Sequence, residues 1–359
     1  MVRSKMRFLP ESVYFLWWLI VASHVGMLSA RCDQLVVTPE GELSHEQTLP
    51  GHTDVVLDVV FSADGRNLAS ASRDGTVRVW DCSSLDSTAD VEGARNLPVT
   101  VLCGHEDSVY SVRISNDGQL LAAASWQGEV RIWRLPSGEP LQTFQAHTMG
   151  VTCVAFSPDS QTLATGGADR TVKLWSVMDG QLLGTLEGHA SGVLHVAFSL
   201  EGALASAGMD TTIKLWDRND LKIVRTLTGH AGGGGNFPHA GYVNCIAYAP
   251  DSRRLASASH DHTVRLWDSL ATEEESPVML IGHTNTVTSV SFSLVGDRIA
   301  SGSVDRSIRL WRGETGETMG VLAGHTAEVT AVAFSPEGEW LASASFDRMV
   351  RLWKMEPDD

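Results

Sequence analysis

Histidine, a serine or threonine, and aspartate recur together along the chain, and these are the side chains of a nucleophilic hydrolase. The first set is His52, Ser70 and Asp74. In a hydrolase the histidine takes the hydroxyl proton, while the carboxylate orients the imidazole ring. The set returns about every 42 residues, whereas an enzyme needs one such site. The repetition therefore favours a structural role over catalysis.

Other catalytic and metal-binding motifs do not occur in the sequence, which has no G-x-S-x-G, H-E-x-x-H, P-loop or G-x-G-x-x-G pattern. The glycine run 232–235 lies in a predicted loop between strands and not before a helix, so it does not predict a phosphate site. The sequence shows no single acid–base pair that would predict a reacting site. The cysteines are too dispersed for a zinc site or a fully paired disulfide framework, at Cys32, Cys82, Cys103, Cys153 and Cys245. We expect no catalytic residue, no metal and no cofactor.

The composition is that of a globular protein, with 359 residues, 43% hydrophobic and 19% charged. The formal net charge is −16, and no cluster of lysine and arginine interrupts the acidic sequence. Such a surface repels phosphate backbones. We therefore expect no direct binding of nucleic acid.

The first 30 residues differ from the rest. They begin with three basic residues and continue into an apolar stretch, Val13–Ala22. This pattern predicts a signal peptide or a membrane anchor through residues 13–28, followed by a linker over 31–41. An extension preceding a translation start at Met27 is the third interpretation. We expect an exported or membrane-anchored protein if residues 1–30 are used, and a cytoplasmic one otherwise.

A repeat with seven units follows, and each unit contains a histidine and a later tryptophan. The histidines are His52, His105, His147, His189, His230 or His239, His283 and His325. The tryptophans are Trp80, Trp133, Trp175, Trp216, Trp267, Trp311 and Trp353. The usual separation is 28 residues, which in the fifth unit selects His239 and makes 230–238 an insertion. Which of the two histidines serves that unit stays open.

Each unit also has the pattern of four short strands. In the third unit these are VTCVAF, TLATGG, TVKLW and QLLGTL, separated by turns such as SPDS and MDG. Four short strands cannot cover both faces of their own sheet, so copies must stack, as the blades of a propeller do. The last unit ends after three strands, and Glu42–Leu49 before the first histidine predicts the missing fourth. That strand would close the ring.

These residues resemble the WD40-repeat family. The G-H…W-D pattern spans residues 51–353, with the W-D pair itself at Trp80-Asp81, Trp216-Asp217 and Trp267-Asp268. The resemblance implies an all-β fold, a seven-bladed β-propeller over residues 42–355 with a tail at 356–359. It also implies a non-catalytic scaffold that binds other proteins.

The resemblance further implies that histidine, hydroxyl, aspartate and tryptophan form a structural tetrad in each blade. These tetrads are His52, Ser70, Asp74 and Trp80; His147, Thr165, Asp169 and Trp175; His189, Ser206, Asp210 and Trp216; His239, Ser257, Asp261 and Trp267; His283, Ser301, Asp305 and Trp311; and His325, Ser343, Asp347 and Trp353. The second blade departs, because Ala123 and Gln127 replace the hydroxyl and the acid. Either this blade is weaker, or its turn is released to present Trp126.

In this family partners usually contact the narrow face of the ring. By analogy with the family, the residues that line this face lie three and five positions after each histidine and one position before each aspartate. Large side chains at these positions form the candidate site, Leu57, Arg73, Tyr110, Trp126 and Phe346, with Met209, Tyr242 and His260 as a secondary group. Aromatic residues and arginine are typical of interface hot spots. We expect a peptide or loop of another protein to bind here, with the propeller a monomer in a larger complex. A small-molecule sensor or enzyme using the central channel is the alternative.

Overall fold

The computed structural model describes residues 46–85, 97–228, 241–271, 276–294 and 296–355. In this part of the chain there are 28 strands, arranged in seven antiparallel four-stranded sheets, and no helix. Accordingly, none of the described residues belongs to a helix that could cross a membrane. The predictions for residues 1–30 and for His230 and His239 lie outside the described residues.

The sheets are numbered as blades in chain order, and the strands of a blade as inner, second, third and outer. Blades one to four contain β2 (Val56–Phe61), β3 (Asn67–Ser72), β4 (Val77–Asp81) and β5 (Val99–Leu102); β6 (Val109–Ile114), β7 (Leu120–Ser125), β8 (Glu129–Arg134) and β9 (Pro140–Gln145); β10 (Val151–Phe156), β11 (Thr162–Gly167), β12 (Thr171–Ser176) and β13 (Leu182–Glu187); β14 (Val193–Phe198), β15 (Leu204–Gly208), β16 (Thr212–Asp217) and β17 (Lys222–Thr228). Blades five to seven contain β18 (Val243–Tyr248), β19 (Arg254–Ser259), β20 (Thr263–Asp268) and β21 (Val278–Ile281); β22 (Val287–Phe292), β23 (Arg298–Ser303), β24 (Ser307–Arg312) and β25 (Thr318–Ala323); β26 (Val329–Phe334), β27 (Trp340–Ser345) and β28 (Val350–Lys354).

The fourth strand of blade seven comes from the other end of the chain. It is β1 (Glu46–Leu49), which pairs antiparallel with β28 so that Gln47 lies opposite Leu352 and Leu49 opposite Val350. The inner strands β2 and β26 of blades one and seven are also in contact. The ring is therefore continuous through the junction of the two termini.

Burial within a blade falls from the second strand to the outer strand. Second strands such as LASAS in blades five and seven are buried on both faces, and their alanine and serine side chains are small enough to permit close packing of the neighbouring sheets. Outer strands expose apolar residues instead, among them Leu183 and Val224. A single blade thus has no core of its own.

The core is divided into seven clusters, one for each interface between adjacent blades. The cluster between blades seven and one contains Leu68 and Trp80 of one blade and Ala342 and Leu352 of the other. The other six interfaces have equivalent clusters. Each apolar sheet face is therefore covered by the next blade.

Every inner strand contains a bulge. The register against the second strand shifts by one residue, in blade one between Val56 and Asp58. The seven bulged residues are Leu57, Tyr110, Thr152, Leu194, Asn244, Thr288 and Thr330. A bulge bends the strand and redirects a side chain. It therefore sets the direction of the side chain five residues after each tetrad histidine.

Deletion of residues 42–49 should lower the melting temperature sharply or cause aggregation, because β28 would become an unpaired edge strand. Differential scanning calorimetry and light scattering measure both effects. Deletion of residues 32–39, which removes an equal length upstream, provides the control. An unchanged melting temperature after the first deletion would show that β1 is dispensable for closure.

Candidate functional site

The histidine of the repeat connects two side chains in blades one, three, four, six and seven. Its Nδ1 lies 2.8–2.9 Å from the aspartate carboxylate, and its Nε2 lies 2.7–2.8 Å from the serine or threonine hydroxyl. In blades three to seven the tryptophan indole N–H donates to the same hydroxyl oxygen at 2.8–3.0 Å. Each buried polar atom of the set thereby gains a partner.

In blade one the pKa shifts favour a charged Asp74 beside a neutral His52. Burial raises the pKa of the Asp74 carboxyl, but hydrogen bonds, the strongest from Thr76, outweigh burial and hold the pKa at about 2. Burial lowers the pKa of His52, and its interactions with Asp74 offset this only in part. The hydroxyl oxygens lie on residues with zero exposure, as in Ser70 and Thr165. No substrate can reach them, so the triad of the sequence pattern cannot act as a nucleophile here.

Blade two has a different arrangement. Ala123 provides no hydroxyl, and Nε2 of the buried His105 has no hydrogen-bond partner. Nδ1 lies 3.2 Å from Glu129, although the geometry is too poor for a hydrogen bond. Burial, opposed by Glu129, lowers the pKa of His105 to about 4. Glu129 was not among the residues predicted from the sequence. It begins the third strand of blade two, at the position where the other described blades have threonine, serine or methionine.

A cation lies two residues before each tetrad tryptophan. The seven are Arg78, Arg131, Lys173, Lys214, Arg265, Arg309 and Arg351. Arg131 pairs with the half-buried Glu129 at 2.6 Å and Arg265 with the buried Asp261 at 3.2 Å, so these cations balance the charge of the acids. The Arg78 guanidinium lies on Gly51, where a Cβ atom would come within 2.6 Å of Nη1. Glycine before the histidine therefore leaves space for the arginine.

The upper face of the ring is formed by the loops from outer to inner strands and by the turns from second to third strands. In every blade the residue before the tetrad acid, or its equivalent in blade two, donates its N–H to a carbonyl oxygen of the loop leading into the inner strand, at 2.9–3.1 Å. Five predicted binding residues are such donors, Arg73, Trp126, Met209, His260 and Phe346. The structure therefore places these five on one face, each beside its own inner strand.

The bulged residues line the mouth of the channel on this face. Where they are polar, they connect neighbouring blades: Thr152 donates to the Val193 carbonyl at 2.8 Å and Thr330 to the Val56 carbonyl at 2.7 Å. Thr288 and Asn244 make equivalent bonds. In blades one and two the bulged residues are Leu57 and Tyr110. Of the predicted residues, Leu57 and Tyr110 thus occupy bulged positions, and the apolar Leu194 holds that position in blade four.

Two aromatic pairs form among the predicted residues. The rings of Tyr110 and Trp126 have centroids 5.1 Å apart and planes inclined by 32°. Burial raises the pKa of the Tyr110 hydroxyl to about 12, with Arg73 lowering it and Asp107 raising it by their charges. The second pair is Tyr242 and His260 on blade five, with centroids 5.9 Å apart. Blades three and four separate the two pairs, so the predicted residues form two groups.

The central channel contains a charged cluster that was not predicted from the sequence. The cavity has a volume of about 680 Å³. Inside it, Arg113 pairs with Asp58 of blade one at 2.6 Å and approaches Nε2 of His195 in blade four at 3.2 Å. Burial, and then the charge of Arg113, lower the pKa of His195 to about 3. No described group of histidine, cysteine and acidic side chains could hold a metal ion.

The family model for the WD domain, G-beta repeat, matches seven segments of the chain. They are residues 43–81, 96–134, 138–176, 180–217, 221–268, 275–312 and 316–354. The small ribosomal subunit protein RACK1 of Caenorhabditis elegans is 40% identical over 100 residues, 27% of this chain and 30% of its own. Human coronin-7 is 38% identical over 112 residues, 31% and 10% of the two chains. Nuclear distribution protein nudF 1 of Talaromyces marneffei is 37% identical over 110 residues, 30% and 21%. The matched regions thus cover less than a third of each relative.

Ala123→Ser should raise the free energy of unfolding by about 1 kcal/mol, because the new hydroxyl would give His105 a hydrogen-bond partner. Urea denaturation measures the change. Ala122→Ser, on the opposite face of the same strand, is the matched control and should not stabilise the protein. Equal effects of the two substitutions would mean that the lost hydroxyl is not the cause of the irregular blade.

Acid should destabilise the protein through His195. Its folded pKa, about 3, lies below the unfolded value of about 6.5, so the unfolded chain binds more protons between these values. The contribution of neutral His195 to the free energy of unfolding is fully present above about pH 6.5. It decreases as the pH falls below that value, by about 2 kcal/mol at pH 5. Denaturation at pH 7 and pH 5 should show a smaller loss for His195→Gln than for wild type. His262→Gln, on an upper-face turn, should behave as wild type, and an unchanged loss in His195→Gln would refute the assignment.

Proposed function

The chain belongs to the WD40-repeat family, and we propose that it is a non-catalytic scaffold that binds a peptide or loop of another protein on its upper face. The observation that supports this most strongly is the stacked pair of Tyr110 and Trp126 beside the mouth of the channel. Both side chains are half-buried, and aromatic anchors held in this way are typical of interface hot spots. Relatives such as RACK1 and coronin-7 share repeats with this chain.

The primary site extends across blades seven, one and two. Phe346 and Arg73 lie on the turns of blades seven and one, and each is half-buried. Leu57 at the channel mouth adds an apolar surface between them. Arginine and aromatic residues provide large contact areas with directional polar groups. We infer that a bound segment crosses these three blades, and that the propeller acts as a monomer within a larger complex.

The secondary group lies on blades four and five. Met209 is within reach of Gly192, where a Cβ atom would be 3.6 Å from its sulfur. Tyr242 and His260 form the edge-on pair described above. A second segment of the same partner could contact this group. The role of residues 13–28 as a signal or anchor stays a prediction.

The alternative function, a sensor or enzyme that uses the channel, would depend on Arg113, Asp58 and His195. The guanidinium of Arg113 already pairs with the Asp58 carboxylate and approaches the His195 ring. Asp58 also accepts the Val112 N–H at 3.0 Å. These bonds link blades one, two and four, which favours an internal brace over a reacting site.

Tyr110→Ala/Trp126→Ala/Phe346→Ala should abolish the capture of partners that wild type retains, because the variant removes the aromatic anchors. Affinity capture from the native host followed by mass spectrometry measures the difference. The control is Met178→Ala/Leu183→Ala/Val224→Ala, which truncates three residues of 56–74% exposure on the outside of the ring. Melting temperatures should be alike in all three proteins. A large drop confined to the first variant would identify its residues as core, and retained partners would place the binding site elsewhere.

A further inference from the structure

The loop leading into blade two carries two adjacent acids, Glu106 and Asp107. The corresponding positions of the other described loops hold at most one, with Thr53-Asp54, Thr148-Met149, Ala190-Ser191, Thr284-Asn285 and Thr326-Ala327. We name Glu106, Asp107, Tyr110 and Trp126 the blade-two corner. It combines the double acid with the aromatic pair in the blade whose tetrad is irregular.

The carboxylates of this corner have a cation nearby, Arg73, whose charge acts on the Tyr110 hydroxyl together with that of Asp107. In blades five and seven the tetrad acid lies 3.2 and 3.9 Å from the cation before the tryptophan, and in blade two Arg131 is already paired with Glu129 at 2.6 Å. One oxygen of Asp107 accepts the Ser108 N–H at 2.6 Å, which fixes the carboxylate at the start of the inner strand. Glu106 is exposed. Within the described ranges, neither Glu106 nor Asp107 forms an ion pair. Asp107 is half-buried and precedes Ser108, whose carbonyl accepts the Trp126 N–H.

The position of Trp126 is fixed before any partner binds. A Cβ atom at the buried Gly150 of blade three would come within 2.6 Å of Cε3 of the indole, so the ring lies directly on this glycine. Tyr110 packs against the ring from blade two, and the Trp126 N–H donates to the Ser108 carbonyl at 3.1 Å. A ring held in this way loses little entropy when a ligand stacks on it.

We propose that the blade-two corner binds a basic segment of the partner, with a lysine or arginine side chain on the Trp126 ring and its charge facing Glu106 and Asp107. This inference rests on the proposed function and specifies the partner's chemistry. An indole ring attracts a cation through its quadrupole, and neighbouring carboxylates strengthen the contact. The charge of Arg73 acts on the Tyr110 hydroxyl, so repulsion favours a bound cation on the Trp126 side of the aromatic pair. The net charge of −16 attracts a basic segment over a longer range.

The test uses the full chain, immobilised, and a random peptide library displayed on phage as the probe. Peptides that depend on Trp126, identified by loss of binding to Trp126→Leu, are then synthesised and their affinities measured by fluorescence anisotropy at low and high salt. We expect these peptides to be enriched in lysine and arginine and to bind more weakly at high salt. Glu106→Gln/Asp107→Asn should weaken them about tenfold.

The matched control is Glu337→Gln/Glu339→Gln, which removes the same charge from the opposite face and should leave the affinity unchanged. Equal weakening by the two double variants would indicate that only the long-range electrostatic attraction of the acidic protein is involved, and would overturn the inference. Trp126-dependent peptides that are acidic, or that bind the Glu106→Gln/Asp107→Asn protein as tightly as wild type, would also overturn it while leaving the proposed function intact. A library without any Trp126-dependent peptide would contradict both.

Discussion

Each blade has two apolar sheet faces, and neither is covered until another blade packs against it. The seven core clusters therefore belong to interfaces and not to blades. An open row of blades would leave one exposed face at each end, which is costly for small sheets. In the closed ring the pairing of β1 with β28 joins the two ends of the chain within one sheet. The stability of every blade consequently depends on the closure of the whole ring.

The same closure creates a second constraint at the centre, where each inner strand is an edge strand with backbone N–H groups that lack a strand partner. Side chains of the preceding blade satisfy several of them. Asp58 accepts the Val112 N–H at 3.0 Å, and Ser289 accepts the Val332 N–H at 3.1 Å. The charged cluster around Arg113 belongs to this layer. Polar side chains in the channel therefore serve first as hydrogen-bond acceptors for the backbone N–H groups of the inner strands.

Blade two shows how a repeated scaffold can acquire a local feature. In blades one, three, four, six and seven a buried hydroxyl and a carboxylate satisfy the histidine, whereas His105 has no hydroxyl partner and lies 3.2 Å from Glu129 without a hydrogen bond. Six other blades and a closed ring stabilise the fold, so one imperfect tetrad is tolerated. The turn between the second and third strands of blade two has Gln127 in place of the acid. In this turn the Trp126 ring lies on Gly150. The unpartnered ring of His105 and the packing of Trp126 on Gly150 occur in the same blade. That this blade is weaker, or that its turn is released to present Trp126, stays a prediction.

The seven repeats, their four-strand pattern and the positions of the tetrad residues could be predicted from the sequence, because strand alternation and turn residues act over a few neighbouring positions. Their G-H…W-D pattern resembles the WD40-repeat family, and that resemblance implied the seven-bladed propeller. Glu129 beside His105, the stacking of Tyr110 on Trp126 and the contact of Arg113 with His195 could not be predicted in the same way. Arg113 and His195 are 82 positions apart and belong to blades that are not adjacent. Such contacts depend on the radius of the ring and on the bulges that redirect the inner side chains, and only the closed tertiary structure determines both.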